Sequence, residues 1–307
     1  MTSRSSPPTV AVPEFDKRPS PHQLALVAVA GAVAQLVRYA PAILRGGDDE
    51  AVHKFRVATR RLRSDLGTFA DVIDDPHTLW LRDELRWLGA DVGRLRDIQV
   101  LAATLHRAVE DLAAGDVARS RALFARLDRQ GRDARQGVLA ALRSARYRRL
   151  LDALVQSTDS LREQSDLAVE RHRKQELTAM RRLERKRWRR LAAAVDVLGE
   201  KPSDAALHAV RIKAKRSRYA AEAVSPLAGK QLARFAAAVS DLQTVLGDHQ
   251  DTVVAEAWLR EAAGAVPAGS LVAGELIARE RAERARLRTE WPAVWRRVVA
   301  ARKRATL

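Results

Sequence analysis

"VHKFRVATRRLRSDLGTF", Val52 to Phe69, sets one histidine, one lysine and four arginines into an amphipathic helical pattern. At about 100° per residue, with His53 at zero, Arg60, Arg56 and Arg63 fall near 340°, 300° and 280°, and Arg61 near 80°. The basic arc is therefore centred on the histidine. Val52, Leu66, Phe55, Leu62 and Phe69 fall between about 260° and 160°, a core stripe that borders the arc. Cations this close to a core are expected to line a groove or channel between helices, with Val57, near 40°, touching a neighbouring helix. The arc around His53 is expected to contain no carboxylate.

The pattern returns in "LHAVRIKAKRSRYAAEAV", Leu207 to Val224. An offset of 155 residues, 53 to 208, sets His53 over His208, Arg56 over Arg211, Val57 over Ile212, Arg60 over Lys215, Arg61 over Arg216 and Arg63 over Arg218. The second core stripe is Leu207, Ala221, Val210, Ser217 and Val224, and Ile212, near 40° like Val57, is expected to touch a neighbouring helix. A further block agrees at an offset of 154: "LGADVGRLRDIQVLAATL" from Leu88 lies over "LQTVLGDHQDTVVAEAWL" from Leu242, which sets Asp97 over Asp251. Self-similarity of this kind marks a duplicated unit, here of about four helices. Repeat one runs from about residue 21 to 157 and repeat two from about 165 to 300.

Solvated helix faces mix signs, because like charges at i,i+4 repel. The second arc carries only Glu222 and the Tyr219 hydroxyl beside its cations. Two arcs this basic imply a ligand that relieves the repulsion. Composition agrees: Lys+Arg 55 against Asp+Glu 38 leaves a net charge of +17, which points to an anionic polymer or surface. Aromatic residues are 5%, which argues against a binder that depends on stacked bases. The chain has no cysteine, hence no disulfide framework, which suits a cytoplasmic protein.

Residues 1–20 are rich in Pro and Ser without a period and are expected to form a disordered tail, with one domain over 21–307. "LALVAVAGAVAQLV", Leu24 to Val37, could pass for the apolar segment of a signal peptide behind Lys17 and Arg18, but the leader is long and proline-bearing. It is too short and Ala-rich for a membrane span, and a buried helix is expected. Beyond it the chain reads as helix almost throughout, with breaks at Arg45–Asp49, Asp74–His77, Ala113–Asp116, Gly199–Asp204, Ser225–Gly229 and Gly264–Ser270. That pattern gives roughly eight helices and no sustained strand signal. Asp49, Asp75 and Ser203 stand where N-caps belong.

"VHKFRVATRRLR", "LHAVRIKAKRSRY", "LGADVGRLRDIQVL" and "LQTVLGDHQDTVV" resemble the paired signatures of the CHAD family, the conserved histidine α-helical domain. The resemblance spans about Leu24 to Trp295. It implies an all-α fold of two pseudo-twofold-related four-helix bundles around a basic central channel that binds inorganic polyphosphate, with localisation to polyphosphate granules. The binding residues it implies are His53, Arg56, Arg60, Arg61, Arg63, His208, Arg211, Lys215, Arg216 and Arg218. Arg86, Arg96 and Tyr219 are secondary candidates, and Asp97 and Asp251 are expected to orient the basic side chains. The second copy departs from the first at Ser217, in place of Leu62, and at Ser240, in place of Arg86, so the lateral reach of the basic surface differs.

Polyphosphate chemistry fits these residues independently. Such a chain has a charge on each internal phosphate and no base edges, so a track of Lys and Arg suffices, with Arg making bidentate contacts. Neighbouring cations are expected to hold the central histidines neutral until a polyanion binds. CHAD domains are often fused to a CYTH triphosphatase, whose E-x-E-x-K strand the sequence lacks, and no carboxylate cluster for magnesium lies near the arcs. A binding protein without catalytic residues, metal or cofactor is expected. His22, His77, His106, His172 and His249 read as ordinary surface or helix-end residues. The competing reading is a nucleic-acid or ribosome-associated binder, for which "ERKRWRRL", Glu184 to Leu191, and "RRVVAARKRA", Arg296 to Ala305, supply basic stripes. No membrane partner is expected.

Overall fold

The structure is a computed structural model that describes residues 9–15, 19–47, 49–73, 75–110, 112–167 and 170–305, with side chains described outside 166–176. Among the described residues the fold is all-helical: nine α-helices, one short 3₁₀ turn and no strand. In order they are α1 (Pro21–Leu44), α2 (Asp49–Thr68), α3 (Thr78–Glu110), α4 (Ala114–Arg143), α5 (Ala145–Leu167), α6 (Glu170–Asp196), α7 (Asp204–Ala228), α8 (Lys230–Ala265) and α9 (Ser270–Ala305). The 3₁₀ turn, Pro267–Gly269, precedes α9.

Local chemistry explains most of the boundaries. Ser20 caps α1 by accepting from the Gln23 N–H at 3.2 Å, its own N–H donates to Gln23 Oε1 at 2.7 Å, and Pro21 opens the helix. The helix ends at Gly46, whose φ of 90° is the left-handed conformation that glycine adopts without strain. Asp75 accepts the His77 N–H at 2.7 Å ahead of α3, and Ser203 accepts the Ala206 N–H at 3.2 Å at the start of α7. Asp49 lies one position further in, as the first residue of α2. Two breaks differ from expectation. Pro226 does not stop α7, which runs through it to Ala228 and ends only at Gly229, φ 92°. Between α4 and α5 the single residue Ser144 divides two helices, its hydroxyl accepting the Tyr147 N–H at 3.1 Å. A serine cap without glycine or proline gave the pattern no visible breaker, so the expected count fell short.

α1 is longer than the apolar stretch that announced it. At 24 residues it is long and apolar enough to cross a bilayer, so shortness does not exclude a span. In this fold it packs against α2 and α5 and buries Leu26, Val29, Val33, Leu36 and Ile43 at 0–1% exposure. It is a core helix here. Of the tail, residues 9–15 are coil, and the Ala11 carbonyl accepts from Arg162 at 3.0 Å.

By packing, the chain divides into two units that interleave in sequence. The first comprises Met1–Arg96, Ala134–Glu184 and Ala223–Ala228, and the second Asp97–Asp133, Arg185–Glu222 and Gly229–Leu307. The first buries Phe55 and Leu66 of α2 with Leu81, Leu85 and Leu88 of α3, and the Phe55 ring lies 6.5 Å from that of Tyr147 on α5. The second is built on Leu101 and Leu105 of α3, Leu127 of α4, Leu259 of α8 and Leu276 of α9.

Candidate anion-binding site

The α2 arc lies in the first unit. Val52, Phe55, Leu62, Leu66 and Phe69 are buried as the stripe requires, while His53, Arg56 and Arg60 are half-buried and Arg61 and Arg63 exposed. The Arg56 guanidinium lies across Gly93 of α3, so close that a Cβ at that glycine would overlap it. One turn earlier, Gly89 brings α3 against the Thr59 methyl of α2. Absent side chains on α3 thus let an arginine bed down between the two helices. Burial lowers the pKa of His53; the charges of Arg96, Lys54 and Arg60 lower it further, and Glu50 opposes them. The expected absence of carboxylates fails about one turn before His53, where Glu50 pairs with Lys54 at 3.2 Å. Buried Asp65 also stands 3.9 Å from Arg61. Arg86 is exposed and paired with Asp83 at 2.6 Å, whereas Arg96 stands near enough to depress His53.

The α7 arc lies in the second unit and repeats the plan with different surroundings. Leu207, Val210, Ser217, Ala221 and Val224 are buried, His208, Arg211, Lys215 and Arg218 half-buried, and Arg216 exposed. Arg211 lies over Gly247 of α8, its guanidine nitrogens 3.5 Å from where a Cβ would stand. Gly247 aligns with Gly93 in the sequence repeat, so the arginine-on-glycine contact is duplicated along with the arcs. Arg218 is more tightly held: it pairs with Glu222 at 3.1 Å, donates to Ser240 Oγ at 2.9 Å and stands 5.0 Å from the Tyr219 ring centroid. Tyr219 itself is buried, 6% exposed. Ile212, expected to touch a neighbouring helix, is 40% exposed within the arc.

Asp97 and Asp251 meet in the second unit. Burial raises the Asp251 pKa, Arg211 opposes that, Asp248 and Asp97 raise it further, and Lys215 lowers it. These two aspartates therefore share one electrostatic neighbourhood with Arg211 and Lys215, half of which is acidic. Asp248 is raised as well, by burial and then by Glu283, with Arg211 opposing.

One of the other histidines breaks its expected role. His249 is 1% exposed on α8, with Nε2 3.2 Å from Asp204 Oδ1. Burial lowers its pKa against the pull of Asp204. Asp204, the first residue of α7, also receives Arg288 and stands 3.6 Å from Arg284, which in turn pairs with Glu256 at 2.8 Å. Sequence periodicity missed it because the partners lie on α7 and α9, far away in the chain. His77 is exposed at the start of α3, and His106 is exposed and stacks on Phe124 at 4.0 Å. His22 is half-buried in the first turn of α1, and the His172 side chain lies outside the described residues. Among the described residues no group of three His, Cys, Asp or Glu could hold a metal ion. Gly93 and Gly247 were also missed, although a glycine inside a helix at matching places in both blocks was a readable signal.

A CHAD domain family model matches residues 27–260 of the chain. An uncharacterized protein of Mycobacterium tuberculosis, in two strains, is 36% identical over 242 residues, covering 77% of this chain and 45% of the relative. The chain therefore spans about half the length of the curated relatives it matches. The crystal structure of the CHAD domain from the plant Ricinus communis superimposes with a TM-score of 0.75 at 24% identity, covering 96% of each chain. PptA from Streptomyces chartreusis gives 0.68 at 23% identity, covering 91% of this chain and 99% of its own.

Proposed function

The chain belongs to the CHAD domain family, and from that premise we propose that it binds inorganic polyphosphate through the arcs on α2 and α7 without turning it over. The observation that carries this reading is the duplicated arginine-on-glycine contact, Arg56 on Gly93 and Arg211 on Gly247. Each places a guanidinium at a fixed point on a basic helix, and fixed guanidinium groups are what a regular chain of phosphates needs. His53, its basicity lowered by burial and Arg96, adds positive charge when an anion arrives.

The finer parts of the proposal are that the two arcs line one channel between pseudo-twofold-related bundles, so that one long chain engages both. A cytoplasmic protein on polyphosphate granules follows from that ligand. Engagement of the second arc would then be an intramolecular event at raised effective concentration. The test titrates the full chain with triphosphate and with long-chain polyphosphate, at about 50 and 200 mM salt. Long-chain affinity is expected to fall by orders of magnitude with salt, and to fall with either arc neutralised. Triphosphate, which one intact arc can hold, is expected to lose little from either change. Salt-independent binding, or equal losses for long and short chains, would overturn the reading.

A further inference from the structure

The basic runs outside the arcs, Glu184–Leu191 and Arg296–Ala305, are remote in sequence, and from Arg185 onward they meet within the second unit. Arg185, Trp188 and Arg189 of α6 and Val299, Arg302 and Lys303 of α9 line one cleft of about 370 Å³. Four of these six side chains are cationic and none is acidic. Glu184, the acid within the α6 run, is buried and is not part of the lining.

The cleft is built rather than incidental. Trp188 stacks on Trp295 with centroids 5.5 Å apart and meets the Phe235 ring edge-on at 5.3 Å. The Arg302 guanidinium stands 5.6 Å from the Trp188 centroid and 5.1 Å from that of Phe235, and Arg302 is only 9% exposed. Cation–π contact thus fixes a buried arginine beside an indole. Arg185, Arg189 and Lys303 are exposed around them.

The arcs and the cleft ask for different ligands. An arc offers cations and no exposed ring, which suffices for a polymer of phosphate alone. The cleft adds an indole and the Val299 side chain beneath its cations, an apolar surface for which a bare phosphate chain has no use. A unit that presents both an apolar planar face and a phosphate matches this arrangement, and a volume at the low end for ligand pockets suits a unit of about nucleotide size. In duplexes the base faces are stacked on one another, so the strand must be single. We propose that the α6–α9 cleft binds single-stranded nucleic acid, one base against Trp188 and Val299 and the flanking phosphates on Arg185, Arg189 and Lys303.

The test uses the full chain, a short single-stranded RNA oligomer, the same oligomer as a duplex, and polyphosphate matched in phosphate. Arg185→Gln, Arg189→Gln and Lys303→Gln together are expected to weaken the single strand about tenfold and to lower its salt slope by about two. Polyphosphate is expected to lose less than about twofold, because its arcs are intact. The changed residues are exposed, and an unchanged melting temperature shows that the fold survives. Trp188→Phe keeps a ring in the core contact and is expected to abolish the part of the tryptophan quench that the single strand causes. Equal single-strand affinity in the triple variant would overturn the proposal, as would equal losses for RNA and polyphosphate, or duplex binding as tight as single-strand binding. If instead the unaltered chain binds RNA but not polyphosphate, the arc reading fails and the cleft stands.

Discussion

The arcs on α2 and α7 carry nearly the same residues and sit on opposite electrostatic backings. Behind the first, α3 supplies Arg96, whose charge depresses His53. Behind the second, α8 supplies Asp248 and Asp251, both close enough to feel Arg211. The aligned blocks show the divergence directly, with Arg94 over Asp248 and Arg96 over Gln250. Arg218 is further committed to Glu222 and Ser240, two partners its counterpart Arg63 does not have at the equivalent positions, which hold Gly67 and Arg86. The aligned blocks share the glycine on which each arginine lies and differ in the charge around it. The first arc therefore offers the proposed anion less opposed positive charge, and the second is partly neutralised from within.

The largest expected effect tests that ranking. Changing Arg56, Arg60 and Arg63 together to Gln is expected to weaken long-chain polyphosphate about a hundredfold, and changing Arg211, Lys215 and Arg218 to Gln about tenfold, measured by titration at low salt. Equal losses would show that the acidic backing of α7 does not reach its cations. A larger loss from the α7 change would reverse the comparison.

The glycines sharpen it at the level of a single atom. A methyl group on Gly93 would overlap the end of the Arg56 side chain, which can swing away, whereas one on Gly247 would meet Arg211 at an ordinary 3.5 Å. Gly93→Ala is expected to weaken polyphosphate about fivefold and Gly247→Ala less than twofold, in keeping with loss of one charge-assisted contact. Both variants are expected to melt no lower than the parent, since alanine favours the helix by about 1 kcal/mol over glycine. A fall in melting temperature at Gly93 would mean that the helices themselves had been forced apart.

What the sequence made legible follows from range. Helical periodicity and the offset between blocks found both core stripes, because Val52, Phe55, Leu62 and Leu66 announce one face within a single helix. The Ser144 division between α4 and α5 was hidden because one hydroxyl bond to the Tyr147 N–H ends a helix without a breaker residue. His249 looked ordinary because its surroundings come from Asp204, Arg284 and Arg288, on two other helices. Ile212 was expected to pack because apolar residues within an arc usually do, and periodicity reports only the helix's own face, not whether a neighbour arrives.

Proton uptake gives the smallest effect and separates the arcs by different groups. His53 is held below its ordinary pKa in the free protein, so at neutral pH its imidazole is largely uncharged. On the proposed function a bound polyanion would stabilise the imidazolium and take up a proton, so affinity is expected to strengthen as pH falls from 8 toward 6. His53→Ala is therefore expected to cost about threefold at pH 6 and almost nothing at pH 8. Asp251 is shifted the other way, above its ordinary carboxylate value. Its charge beside Arg211 weakens the α7 arc at neutral pH and is lost only as the solution becomes more acidic than that raised value. Asp251→Asn is expected to tighten long-chain binding about twofold at pH 7, with the advantage shrinking as the solution becomes acid enough to protonate Asp251. Titrations of both variants across pH 8 to 4 read the two arcs separately. If His53→Ala costs the same at pH 6 and pH 8, the histidine does not charge on binding. If Asp251→Asn leaves affinity at pH 7 unchanged, the acidic backing is electrically silent and the two arcs are equivalent after all.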